Sequence, residues 1–179
     1  MSRLFSRVRL ASLCAGGVLV SSLIVACGDT GAASAEAAPA GDSQKVAAPQ
    51  PLDIPTKSGT LTLMAPAGAT AKVNSGSTID VKAGPGFQVE ISAGIGVLSR
   101  FKQDVQSNTM NVFKRFVLDE PPLGMVYESA FGGKPEYHLL FIVKGVMRGL
   151  VCQDTKGPVY SETQARAMYD ACKTLALKP

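Results

Sequence analysis

Only one histidine, His138, occurs among the 179 residues, and no set of His, Cys, Asp and Glu at metal-ligand spacing accompanies it. No metal site and no bound cofactor are therefore expected. The chain has no Cys-x-x-Cys, which argues against a redox-active pair, and no Gly-x-Ser-x-Gly elbow of the hydrolase kind. It has no basic stretch with interleaved aromatics, so no nucleic-acid partner is expected. Only one long apolar run is present, and it falls short of the ~20 residues that cross a bilayer core. Apolar residues at 46% and charged ones at 18% are an ordinary globular balance and exclude wholesale disorder.

The apolar run is N-terminal. Residues 2–9, Ser-Arg-Leu-Phe-Ser-Arg-Val-Arg, are basic and carry no acid, and Leu10 to Ala26 are apolar or small. These 17 residues are followed by Gly28-Asp29-Thr30 rather than a basic flank, and read as a cleaved export signal. Ile24-Val25-Ala26-Cys27 then resembles the lipobox of bacterial lipoproteins: an aliphatic residue, a small or β-branched one, a small one, and an obligatory cysteine. The resemblance implies that residues 1–26 are removed as a lipoprotein signal peptide. It also implies that Cys27 is the lipidation site, its thiol carrying a diacylglyceryl group and its new amino terminus an acyl chain such as palmitate. Two or more chains anchor a protein stably, at about 0.8 kcal/mol per buried CH₂. An ordinary signal with a chance cysteine is the alternative.

The resemblance implies an address as well. In such lipoproteins an Asp directly after the cysteine retains the protein at the inner membrane. Gly28 stands there and Asp29 one further on, which favours the outer membrane. Processing also removes Arg3, Arg7 and Arg9, so that the formal +4 falls to 15 basic against 14 acidic side chains.

Residues 28–58 are rich in Ala, Pro, Gly and Ser, hold no aromatic residue, and are interrupted by Pro39, Pro49, Pro51 and Pro55. They read as a flexible tether, 27–59 with the lipidated cysteine, with a root-mean-square reach of roughly 30 Å. The folded domain is expected over 60–179, enough for one core.

Within it, Leu61-Thr62-Leu63, Ile79-Asp80-Val81-Lys82 and Phe87-Gln88-Val89-Glu90-Ile91 alternate as strands with one buried face. Leu98, Phe101 and Val105 fall at helical spacing and predict a helix over 96–107. Residues 108–119 fit a helix or a strand, with strand preferred. Met125 to Phe131 and Tyr137 to Val143 predict a hairpin around Gly132-Gly133-Lys134-Pro135, and the solid apolar run of its second member suits a strand covered on both faces. Leu150-Val151-Cys152 continues as a strand. Ser161 and Gln164 form a capping box ahead of a helix whose Met168, Ala171, Cys172 and Leu175 make one apolar stripe. The fold class is α+β: an antiparallel sheet packed with at least two helices.

Met64-Ala65-Pro66-Ala67-Gly68, followed by strands ending in Gly86-Phe87-Gln88-Val89-Glu90-Ile91, with this order of elements, resembles the PsbP-like fold of photosynthetic oxygen-evolving accessory proteins and some bacterial lipoproteins. The resemblance implies an architecture and carries no functional residue across.

Of the four cysteines, Cys14 leaves with the signal and Cys27 is the lipid site. Cys152 and Cys172 are expected to form a disulfide in an oxidising exported compartment, with two reduced core thiols as the alternative. His138 lies in an apolar strand and reads first as structural. Ser99-Arg100-Phe101-Lys102 matches Ser-x-x-Lys without its companion motifs, and Gly94-Ile95-Gly96 reads as the turn into a helix. Asp119-Glu120 and Gln153 to Pro158 read as solvated turns. No catalytic residue is assigned. The expected function is a non-catalytic, membrane-anchored module that touches membrane lipid through acylated Cys27 and binds another envelope protein or a small ligand. The alternatives are a ligand carrier with an apolar pocket and a hydrolase built around His138.

Overall fold

In the computed structural model, residues 48–74, 78–144 and 149–178 are described. Cys27, the expected signal peptide and the expected tether up to residue 47 lie outside them. The described residues form ten strands and two helices: β1 (Pro49–Thr56), β2 (Gly59–Pro66), β3 (Thr70–Val73), β4 (Ile79–Lys82), β5 (Gln88–Ala93), α1 (Leu98–Gln106), β6 (Val112–Glu120), β7 (Gly124–Phe131), β8 (Lys134–Val143), β9 (Leu150–Asp154), α2 (Glu162–Lys173) and β10 (Ala176–Lys178). Seven strands make one antiparallel sheet in the order β3-β4-β5-β9-β8-β7-β6, and a smaller one runs β1-β2-β10. The α+β expectation holds.

The folded part begins earlier than the composition indicates. β1 lies inside the stretch read as tether, and pairs Leu52 with Leu63 and Ile54 with Leu61. Its prolines, Pro49, Pro51 and Pro55, occupy alternate positions, so their missing N–H groups all fall on one side. β1 is the edge of its sheet, and an edge strand needs donors on the inner side only. The sequence that looks like a helix-breaking linker is a Pro-protected edge.

Two cores follow from the two faces of the large sheet. Leu139, Phe141 and Val143 join Ala165, Met168 and Cys172 of α2 in the larger one, while Leu140 and Ile142 join Leu98 of α1 in the smaller. That is why Leu139–Val143 is apolar at every position: one helix covers each face. α2 starts as read, with Ser161 accepting the Gln164 N–H and the Gln164 side chain returning to Ser161. Residues 112–120 are a strand, β6. Asp119 and Glu120 end that strand rather than forming a free turn: Asp119 binds Lys102, and Glu120 binds Lys173 and the Tyr169 hydroxyl.

Cys152 of β9 and Cys172 of α2 are bonded, with Cα atoms 5.9 Å apart and both residues fully buried. The bridge ties the large sheet to the helix covering it.

Register also defines the two ends of the domain. Pro49 pairs with Pro66, and a turn from Pro66 leads to Thr70, which pairs with Lys82. Lys82 pairs with Gln88, and the neighbouring Val89 with Asp154. The chain therefore enters β1 at the Asp154 end of the sheet. Val73, Ala93, Leu150, Val143 and Gly124 mark the opposite end.

Candidate functional site

Two concave regions flank α1, one at each end of the sheet. The first, about 500 Å³, lies between the C-terminal half of α1 and the face of β7, β8 and β9, near Asn108, Tyr127, Glu136, His138, Gln153 and Lys156. His138 is among its lining residues. The imidazole Nδ1 is 2.9 Å from Asp154 Oδ2 and Nε2 is 3.1 Å from Ser129 Oγ. Glu136 Oε2 stands 3.7 Å from Nε2, and the Tyr127 ring stacks on the imidazole at 5.1 Å. The other Asp154 oxygen accepts the Leu139 backbone N–H at 2.8 Å, which fixes the carboxylate.

The hairpin supplies this geometry. With Phe131 opposite Lys134 across the Gly132-Gly133 turn, the register places Tyr127 opposite His138 and Ser129 opposite Glu136. β8 then pairs with β9 so that Asp154, at the end of that strand, reaches back to His138.

Serine, histidine and aspartate thus stand in the order of a nucleophile, a base and its orienting carboxylate. The surroundings oppose that chemistry. Ser129 is 1% exposed, which closes its hydroxyl to a substrate carbonyl. Burial lowers the proton affinity of His138, but the hydrogen bond and charge of Asp154, together with the charge of Glu136, raise it by more. A ring held between two carboxylates binds its proton more tightly than a free imidazole. Burial, assisted by the Asp154 charge, pushes the Tyr127 phenol up, so it stays protonated in the physiological range. The cluster joins three strands through polar groups, with His138 lining the cleft.

The second region is an open cleft of about 1010 Å³ at the opposite end, between the β5–α1 loop, Pro121-Pro122 and the end of β8. Its walls are aliphatic. Ile95 is 91% and Val97 52% exposed, values far above the usual for β-branched apolar residues. The loop is drawn against the sheet at Gly96, where a Cβ would come within 2.8 Å of the Ile142 side chain. Lys102 and Lys144 stand at its rim, and Lys102 is held by Asp119 at 2.6 Å.

Cys152 and Cys172, expected as a pair, are brought together, and they lie in the packed interior away from both clefts. Cys27 lies outside the described residues. Among the described residues no group of three or more His, Cys, Asp or Glu forms a metal site, and no helix is long and apolar enough to cross a membrane. The Gly94–Ser99 stretch is the turn into α1, and its Val97 cap makes no side-chain hydrogen bond. Sequence reasoning missed Ser129, Glu136 and Asp154 as partners of His138. Counting outward from the Gly132-Gly133 turn finds Ser129 and Glu136. Asp154 requires knowing that β9 returns beside β8.

No family model, no curated protein and no solved structure matches the chain.

Proposed function

We propose that this chain is a lipid-anchored protein of the bacterial cell envelope, held through acylated Cys27 at the outer membrane. Its folded domain binds a partner rather than transforming one. The lipobox-like Ile24-Val25-Ala26-Cys27 supports the anchor. The observation that carries the binding half is the open aliphatic cleft, with Ile95 and Val97 left in water at its mouth. Apolar side chains concentrated on such a patch mark a contact surface, because hiding them from water is favourable by about 25 cal/mol per Å². The cleft lies at the end of the sheet opposite Pro49.

The test is in situ capture. The full chain, carrying a benzophenone amino acid in place of Ile95, is irradiated in intact cells. Specific adducts at position 95, absent when the same probe replaces the exposed Lys72 of β3, are the expected result. No adduct at position 95 contradicts a binding role.

A second reading, ester hydrolysis at Ser129, is favoured by the Ser129–His138–Asp154 distances. The burial of Ser129 weighs against it. Labelling by a fluorophosphonate, lost in Ser129→Ala, would replace the binding reading with the enzymatic one.

A further inference from the structure

We propose that the cleft between the β5–α1 loop and the end of β8 takes a single aliphatic chain ending in an anionic group. The inference rests on reading this cleft as a binding site and names the chemistry of its occupant. Among the described residues no aromatic side chain lines it, so a planar ring would find no face to stack on. Among the described residues its hydrogen-bonding side chains are Ser99, Lys102 and Lys144, too few to replace the hydration shell of a sugar or a peptide. Ile95, Val97 and Ile142 instead offer an aliphatic wall. The volume of about 1010 Å³ is at the upper end of the range for small-molecule sites, which run to about 1,000 Å³.

The charge at the rim sets the other end of the ligand. Lys102 is neutralised by Asp119, with Nζ 2.6 Å from both carboxylate oxygens. Lys144 is exposed and meets no carboxylate within salt-bridge distance among the described residues, which leaves its ammonium beside an apolar slot. A carboxylate at Lys144 would let the chain lie along Ile142 and Val97 while its charged end stays in water. Such a split follows the ordinary division of an amphiphile, with its apolar body buried and its polar end wet.

Gly94 provides a way to close the slot without straining the fold. It lines the cleft, and a Cβ there would meet nothing within 4 Å. The experiment uses the full chain in phosphatidylcholine vesicles with hexadecanoate bearing a terminal diazirine. Irradiation followed by peptide mass spectrometry locates the adducts. Expected are adducts on residues 94–98 and on Val143, displaced by excess unlabelled hexadecanoate. Gly94→Leu is expected to reduce them at least fivefold, and Lys144→Glu to weaken hexadecanoate competition about tenfold. Adducts scattered over the surface, or undiminished in both variants, would overturn the proposal. Equal displacement by hexadecanol would overturn the anionic end. If Ile95 captures only protein in cells and hexadecanoate leaves no adduct, this inference fails while the binding reading stands.

Discussion

His138 and Asp154 are locked together across two neighbouring strands: Asp154 Oδ2 lies 2.9 Å from the imidazole, while its Oδ1 accepts the backbone N–H of Leu139 at 2.8 Å. One carboxylate thus satisfies a side chain and a strand together. Asp154→Ala removes both contacts and leaves two partly buried donors without a partner, for an expected loss of about 2–3 kcal/mol. Urea unfolding measures it. A loss below about 0.5 kcal/mol would mean that water replaces the carboxylate without cost.

The same pair predicts how stability depends on pH. The folded-state pKa of His138 is raised above its ordinary 6.5, because Asp154 and Glu136 outweigh the effect of burial. The folded form therefore binds the proton more tightly than the unfolded chain. That contribution is complete below about pH 6.5 and is lost as pH rises through the raised value. His138 is the only histidine, so no other imidazole titrates in this window. Urea midpoints should fall from pH 6 to pH 8.5, and His138→Gln should flatten the fall. A wild type that becomes more stable over this range would contradict the assignment.

The Cys152–Cys172 bond closes a loop with a sequence separation of 20 residues. In the chain-entropy model that constraint is worth about 3 kcal/mol. Reduction, or the double substitution to alanine, should lower stability by that order in urea. An alkylating reagent should label neither position until the protein is both unfolded and reduced. Labelling of the native protein without reductant would contradict the bridge.

Two glycines should behave in opposite ways. A Cβ at Gly124 would stand 2.5 Å from the Leu140 carbonyl oxygen and 2.8 Å from the Tyr169 ring, whereas one at Gly94 meets nothing within 4 Å. Gly124→Ala should cost about 2–3 kcal/mol through overpacking. Gly94→Ala should change stability by less than about 0.5 kcal/mol. Thermal melts of the two variants make the comparison, and equal values would contradict the packing at the foot of α2.

Legibility followed the range of the interactions. The Ser161–Gln164 box, the stripe on α2 and the Gly132-Gly133 hairpin are local patterns, and each stands where the residues indicate. The solid run Leu139–Val143 correctly announced a strand covered on both faces. β3 gave no alternation because all four of its residues are exposed, and β1 was hidden by prolines that suit an edge as well as a linker. Asp119, Glu120 and Asp154 read as turn residues because their partners Lys102, Lys173 and His138 come from distant parts of the chain. The open cleft left a trace only in Ile95 and Val97, apolar residues that no period explains.

The proposed anchor requires that Cys27 carry lipid and hold the domain at a membrane. Cells fed an alkyne analogue of palmitate and expressing wild type or Cys27→Ser, followed by click detection and membrane fractionation, provide the test. A labelled wild type in the membrane fraction and an unlabelled Cys27→Ser are expected. An unlabelled wild type recovered in the soluble fraction would contradict it.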